Sequence, residues 1–154
     1  MSLKKIKELL KDREFISVAT SDLEAHPNAA PKFILKIEDH FIYLVDYILG
    51  KTWQNLKTNP LVSLSLVNTD TLTGYQINGV VEIIDRGKEF ESILKELLAK
   101  EMQLSTKRIV EGVTSGKSHG DFEVTFKEKF VILKVSIKEI TEISPRGELK
   151  KETL

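Results

Sequence analysis

The 154-residue chain contains no cysteine, which excludes disulfides, thiolate catalysis, iron–sulfur ligation and a cysteinyl flavin link together. It also lacks net charge. With 23 basic and 23 acidic side chains, no global field draws it to nucleic acid or to an acidic membrane surface. Aromatic residues make up only 7%, which argues further against a barrel that stacks single-stranded nucleic acid in a basic groove. No run approaches the roughly 20 apolar residues of a membrane span. The opening MSLKKIKELLKD is amphipathic and lacks the apolar region and cleavage site of a signal peptide, so a cytoplasmic protein with no membrane partner is expected. The three histidines, His26, His40 and His119, fall in separate turn-like segments without ligand spacing, and no metal site is expected.

What is present is ordinary for a globular chain: 41% hydrophobic and 30% charged residues. The length suits a single domain over residues 1–154, burying roughly two-thirds of the surface its unfolded chain exposes. The stretch FIYLVDYILGKTWQNLKTNP, residues 41–60, organises the rest. Phe41, Tyr43 and Val45 alternate with Ile42 and Leu44 in a β-rich run, predicting a strand buried on both faces. Gly50 then frees the backbone, Lys51 and Thr52 open a helical pattern, and Asn59-Pro60 ends it. The first amides of a helix point outward unpaired at the positive end of the dipole. A lysine ammonium and a threonine hydroxyl beside them suit a phosphomonoester. A nucleotide P-loop is excluded, because it requires glycine where this chain has Val45.

The flanking sequence reads as wall. Leu3, Ile6, Leu9 and Leu10 recur at helical spacing and predict a helix over residues 2–12 that lids one end of a barrel. Residues 15–20 and 28–37 form a hairpin about a Ser, Asp, His and Pro turn. In its second strand Phe33, Leu35 and Ile37 are expected on the buried face, with Lys32 and Lys36 on the other. Pro31 lacks an amide hydrogen and marks an edge, a bulge or a gap where backbone is left for a ligand. Strands follow at residues 61–66 and 74–85, the latter with Gly79 allowing a bend or close approach. Two amphipathic helices are expected at residues 88–100 and 105–112, a loop at 114–121 and a brief strand at 122–126. In the last strand Val131, Leu133, Val135 and Ile137 alternate, and the parity shifts at Ile140, predicting a bulge. The tail RGELKKETL is expected to fray. The sum is a small antiparallel β-barrel with α decoration.

The order FISVATSD, HPNAAPKFILKI, FIYLVD, GKTWQNLKTNPLVSLSL and GYQINGVVEI resembles the FMN-binding split-barrel family related to pyridoxamine 5′-phosphate oxidase. The resemblance implies a six-stranded antiparallel split barrel of Greek-key type, a homodimer, and FMN in a groove at the subunit interface. It places Lys51 and Thr52 at the FMN phosphate with Gly50 shaping their loop. It puts Pro31, Lys32, Phe33, Ile34 and Leu35 on the strand lying along the isoalloxazine, Leu44 and Val45 on the strand beside it, and Gln76 near a position contributed to the flavin site. Trp53, beside Thr52, is expected against the partner subunit rather than the flavin, because large aromatics are enriched at interfaces. The implied activity is that of an oxidoreductase passing electrons between a small-molecule donor and acceptor. Non-catalytic FMN carriage, and a barrel holding a deazaflavin or haem, are the alternatives. The chain ends ISPRGELKKETL, without the Arg-Leu-x-Pro-type segment of the true oxidases, which argues against oxidation of a vitamin B6 phosphate.

Overall fold

The computed structural model describes residues 2–116 and 129–154. His119 and the strand expected at residues 122–126 lie outside the described residues. The chain divides into two compact units, Met1–Ile84 with Phe130–Leu154, and Asp85–Lys129.

The first unit runs α1 (Ser2–Lys11), β1 (Phe15–Ser21), β2 (Pro27–Glu38), β3 (Phe41–Asp46), α2 (Lys51–Thr58), β4 (Leu61–Asn68) and β5 (Thr73–Ile84). After the second unit come β6 (Val131–Ile143) and β7 (Leu149–Thr153). The strands pair antiparallel in the order β3-β2-β1-β4-β5-β6, and β6 returns to β3, closing a six-stranded barrel. Closure between β3 and β6 shortens the free sheet edges that would otherwise invite pairing with other chains. Ile16, Val18, Ile34, Ile42, Leu44, Leu64, Ile77, Leu133, Val135 and Ile140 fill the interior.

The barrel is split because β2 changes partners along its length. Residues 27–33 lie against β1, and residues 33–38 lie against β3. No described strand covers the other edge of residues 27–32, so the chain is open there. A bulge at Leu35, between the pairs Ile34↔Leu44 and Lys36↔Tyr43, breaks the expected alternation. Ile34 therefore joins the barrel core while Phe33 packs against Phe15 and Tyr47; Phe33 and Leu35 are buried as expected, but so are Lys32 and Ile34, which strict alternation puts on the other face. Pro31 stays in register opposite Ser17, four residues before that bulge.

The bulge expected in the last strand is present, and the fraying expected of the tail is overturned. The parity shift in β6 is a bulge at Lys138, between the pairs Asn78↔Glu139 and Gly79↔Ile137. Gly79 is required beside it, since a Cβ there would lie 2.6 Å from the Ser136 carbonyl oxygen. The tail does not fray. Gly147, at φ 83°, turns the chain with its amide on the Ser144 carbonyl at 2.9 Å, and β7 then extends the sheet along β6. Lys151 reinforces it at 3.0 Å from Glu139. In the β1–β2 turn Asp22 Oδ1 accepts the Glu24 and His26 amides at 2.9 Å each, and Ala25 takes the left-handed φ of 64° that glycine adopts without cost.

Among the described residues of the second unit a single helix, α3 (Lys88–Ser115), stands in place of the two expected. Residues 101–104 contain neither glycine nor proline, so nothing stops the helix until Gly116 caps it at φ 74°.

Candidate functional site

The open edge of β2, the end of β3 and the start of α2 meet at one end of the barrel. Sequence explains the approach of α2. Tyr47, Ile48 and Leu49 leave β3, Leu49 turns through a left-handed φ of 50°, and Gly50 serves as N-cap with no side-chain hydrogen bond. An N-cap without a side chain leaves the first amides of α2 uncapped by the chain's own oxygens.

The buried face of α2 is polar as well as apolar. Thr52, Asn55 and Leu56 are buried. Thr52 Oγ1 accepts from Asn28 Nδ2 at 3.1 Å, joining α2 to the open edge of β2. Asn55 Nδ2 donates to Thr20 Oγ1 at 3.1 Å, and Asn59 Nδ2 to the Ser21 carbonyl and hydroxyl oxygens at 3.2 Å each. These bonds fix the helix end against the β1–β2 turn. Lys51 stays outside with its side chain 50% exposed, its ammonium 3.8 Å from Asp22 Oδ2. Asp22 is held ionised below the ordinary carboxylate range, chiefly by the His26 amide, with His26 Nδ1 also 2.9 Å from Oδ2.

Lys32 is the departure from expectation. It is not a solvated lysine on a polar strand face: its side chain is 5% exposed and its ammonium lies 2.8 Å from Asp46 Oδ1, itself fully buried. The bulge at Leu35 and the shift of partner at Phe33 bring β2 beside the end of β3, so the two charges meet. Removing one member of such a pair leaves the other charge buried alone, at a cost of about 3–5 kcal/mol. Asp46 was not singled out in the sequence. Its signal was a carboxylate ending an otherwise apolar strand beside a loop.

The structure thus brings Pro31, on the uncovered edge of β2, to the same end of the barrel as Gly50, Lys51 and Thr52, whereas Lys32, Phe33, Leu35 and Val45 are buried. Leu44 and Ile34 belong to the barrel core. Gln76 stands exposed on β5, with its amide nitrogen 3.4 Å from Ser63 Oγ. Along the sheet it lies three strand spacings, about 14 Å, from β2. Trp53 packs against the core with the Lys57 ammonium 3.8 Å over its ring. Among the described residues no group of His, Asp and Glu is arranged to hold a metal, and no described helix is long and apolar enough to cross a membrane.

The fold is shared with a pyridoxamine 5′-phosphate oxidase-related, FMN binding protein from Nostoc punctiforme PCC 73102, at 12% identity and TM-score 0.59 over 96% of this chain and 91% of that one. A nimC/nimA family protein from Clostridium acetobutylicum is similar at 22% identity and TM-score 0.62, over 98% of this chain and 91% of that one. A heme binding protein from Mycobacterium smegmatis aligns at 13% identity and TM-score 0.66, over 99% of this chain but 58% of the other. No curated protein sequence matches the chain. Residues 2–143 match the family described as Pyridoxamine 5'-phosphate oxidase, and the chain, alike in barrel and in sequence, belongs to that family.

Proposed function

We propose that this chain binds FMN and works as an FMN-dependent oxidoreductase on a small-molecule donor and acceptor. One observation carries the reading: an uncapped helix start with an exposed lysine, Lys51, stands beside the uncovered edge of β2. Lys51 and the α2 amides hold the phosphate by charge and hydrogen bonds, and Gly50 lets the phosphate approach the backbone closely. The uncovered stretch of β2 up to Pro31, exposed or half-buried along its length, offers extended backbone beside which a planar ring lies. Bound FMN supplies the redox chemistry, so no protein nucleophile is required.

A homodimer completes the site in this reading. A single small barrel offers a shallow groove, whereas a flavin site buries most of its ligand. Gln76, remote from β2 within one barrel, reaches the flavin from a second copy related by twofold symmetry. The likeness to a heme binding protein keeps haem as the second reading, and the same phosphate site suits a deazaflavin.

The protein purified as expressed decides among them. The expected result is a yellow dimer by light scattering that releases a ligand with the mass of FMN and consumes NADH or NADPH with an acceptor. Release of haem or a deazaflavin overturns the FMN assignment, a monomer with flavin still tightly bound overturns the shared site, and FMN without turnover leaves a carrier.

A further inference from the structure

A charged pair sealed from water stands where the chain leaves β3 for α2. Lys32 Nζ lies 2.8 Å from Asp46 Oδ1, with the side chains 5% and 0% exposed. The same oxygen accepts the Ile48 amide at 3.2 Å, while the buried Oδ2 has no hydrogen-bond partner among the described residues. An apolar pair of similar volume would hold the barrel at least as well, because two desolvated charges roughly cancel their own attraction. Stability therefore does not account for this pair.

The loop it adjoins does. Only Tyr47, Ile48 and Leu49 separate Asp46 from the Gly50 N-cap, and Ile48 is 73% exposed, so packing of Ile48 does not set the path. Leu49 rests against the core but in a left-handed backbone conformation that a non-glycine residue adopts only under constraint. Tyr47 packs its ring against Phe33 and Phe130, and beyond it the Ile48 amide is tied to Asp46 Oδ1, the same oxygen that Lys32 holds at 2.8 Å.

We propose that Lys32 and Asp46 are positioning residues that preset the 47–50 loop, so that the start of α2 faces a ligand phosphate which neither of them touches. The inference rests on the flavin reading and deepens it: selectivity for the phosphorylated over the unphosphorylated flavin originates in a buried ion pair behind the loop as well as in Lys51.

The decisive variant is Lys32→Met/Asp46→Leu, which removes both charges together and so avoids stranding either one. FMN and riboflavin are titrated against wild type, this double variant and the conservative Lys32→Arg, with unfolding curves recorded for each. The double variant is expected to fold with stability near wild type and to bind FMN about 10-fold more weakly or worse, while riboflavin affinity stays within about 2-fold. Lys32→Arg is expected to retain most of the FMN affinity. Equal weakening of both flavins, or no change in either, overturns the proposal and leaves the pair a structural contact. If wild type binds neither flavin, the flavin reading fails, and amide hydrogen exchange then decides the anchoring. Exchange about 10-fold faster in the double variant, confined to residues 48–54, supports it, and unchanged exchange there overturns it.

Discussion

The two short helices of the barrel unit close its opposite ends, and they differ in what they bury. α1 sets Ile6 and Leu10 into the core, with Leu3 and Leu9 packed alongside. Its polar contacts lie at its start and on its outer side: the buried Ser2 donates its amide to Glu152 Oε2 at 2.9 Å, and Lys5 pairs with Glu142 at 2.9 Å. α2 buries Thr52 and Asn55 beside Leu56 and gives each polar group a named partner. An apolar lid can tolerate small rotations, because dispersion and area burial carry no direction. A lid held by buried hydrogen bonds has one orientation, since every displaced donor or acceptor would be left unsatisfied. The oriented lid is the one whose start faces the uncovered edge of β2, and it carries the candidate site.

The contrast is broken most sharply at Leu10. Truncating Leu10→Ala leaves a cavity under α1 and is expected to cost about 2–5 kcal/mol in urea unfolding. The FMN affinity of the folded fraction should remain within about 2-fold. A comparable loss of affinity would mean that the two ends of the barrel are not independent.

Lys51→Ala is the mirror experiment. A charged hydrogen bond contributes about 1.5–3 kcal/mol, so FMN binding should weaken roughly 10- to 150-fold with little change in the unfolding midpoint. Riboflavin binding should not move. If both ligands weaken alike, Lys51 is a solvated side chain and α2 is only a lid.

The smallest effect is electrostatic and belongs to α1. The carboxyl of Glu152 is held below its ordinary 4.5, first of all by the Ser2 amide. A group whose folded pKa is depressed stabilises the fold fully above its unfolded value, and loses that contribution as pH falls from 4.5 through the lower folded value. Glu152→Gln should therefore be slightly less stable than wild type at neutral pH, with the difference vanishing in acid. A difference that persists or grows in acid would show that the carboxylate charge is not what holds α1.

The legible parts of the molecule are those decided by neighbours in sequence. Alternation placed the strand at Phe41 to Asp46, Gly50 and Asn59-Pro60 bracketed α2, and the parity shift before Ile140 located the bulge at Lys138. The candidate phosphate loop was legible for the same reason, since Gly50, Lys51 and Thr52 are contiguous. Lys32 was misjudged because the bulge at Leu35 inverts the faces of β2, and alternation alone cannot show where a bulge falls. The long α3 was read as two helices because its apolar stripe fades while its backbone preference does not.

The sequence by itself determined the elements, the turns and the chemistry available at the start of α2, because each depends on residues a few positions apart. Tertiary structure alone decided that β6 would close on β3, that the charged tail would find an edge of β6, and that a lysine and an aspartate 14 positions apart would be buried together. Those outcomes depend on which surfaces remain uncovered once the other strands have paired, and on the cost of leaving any buried charge alone.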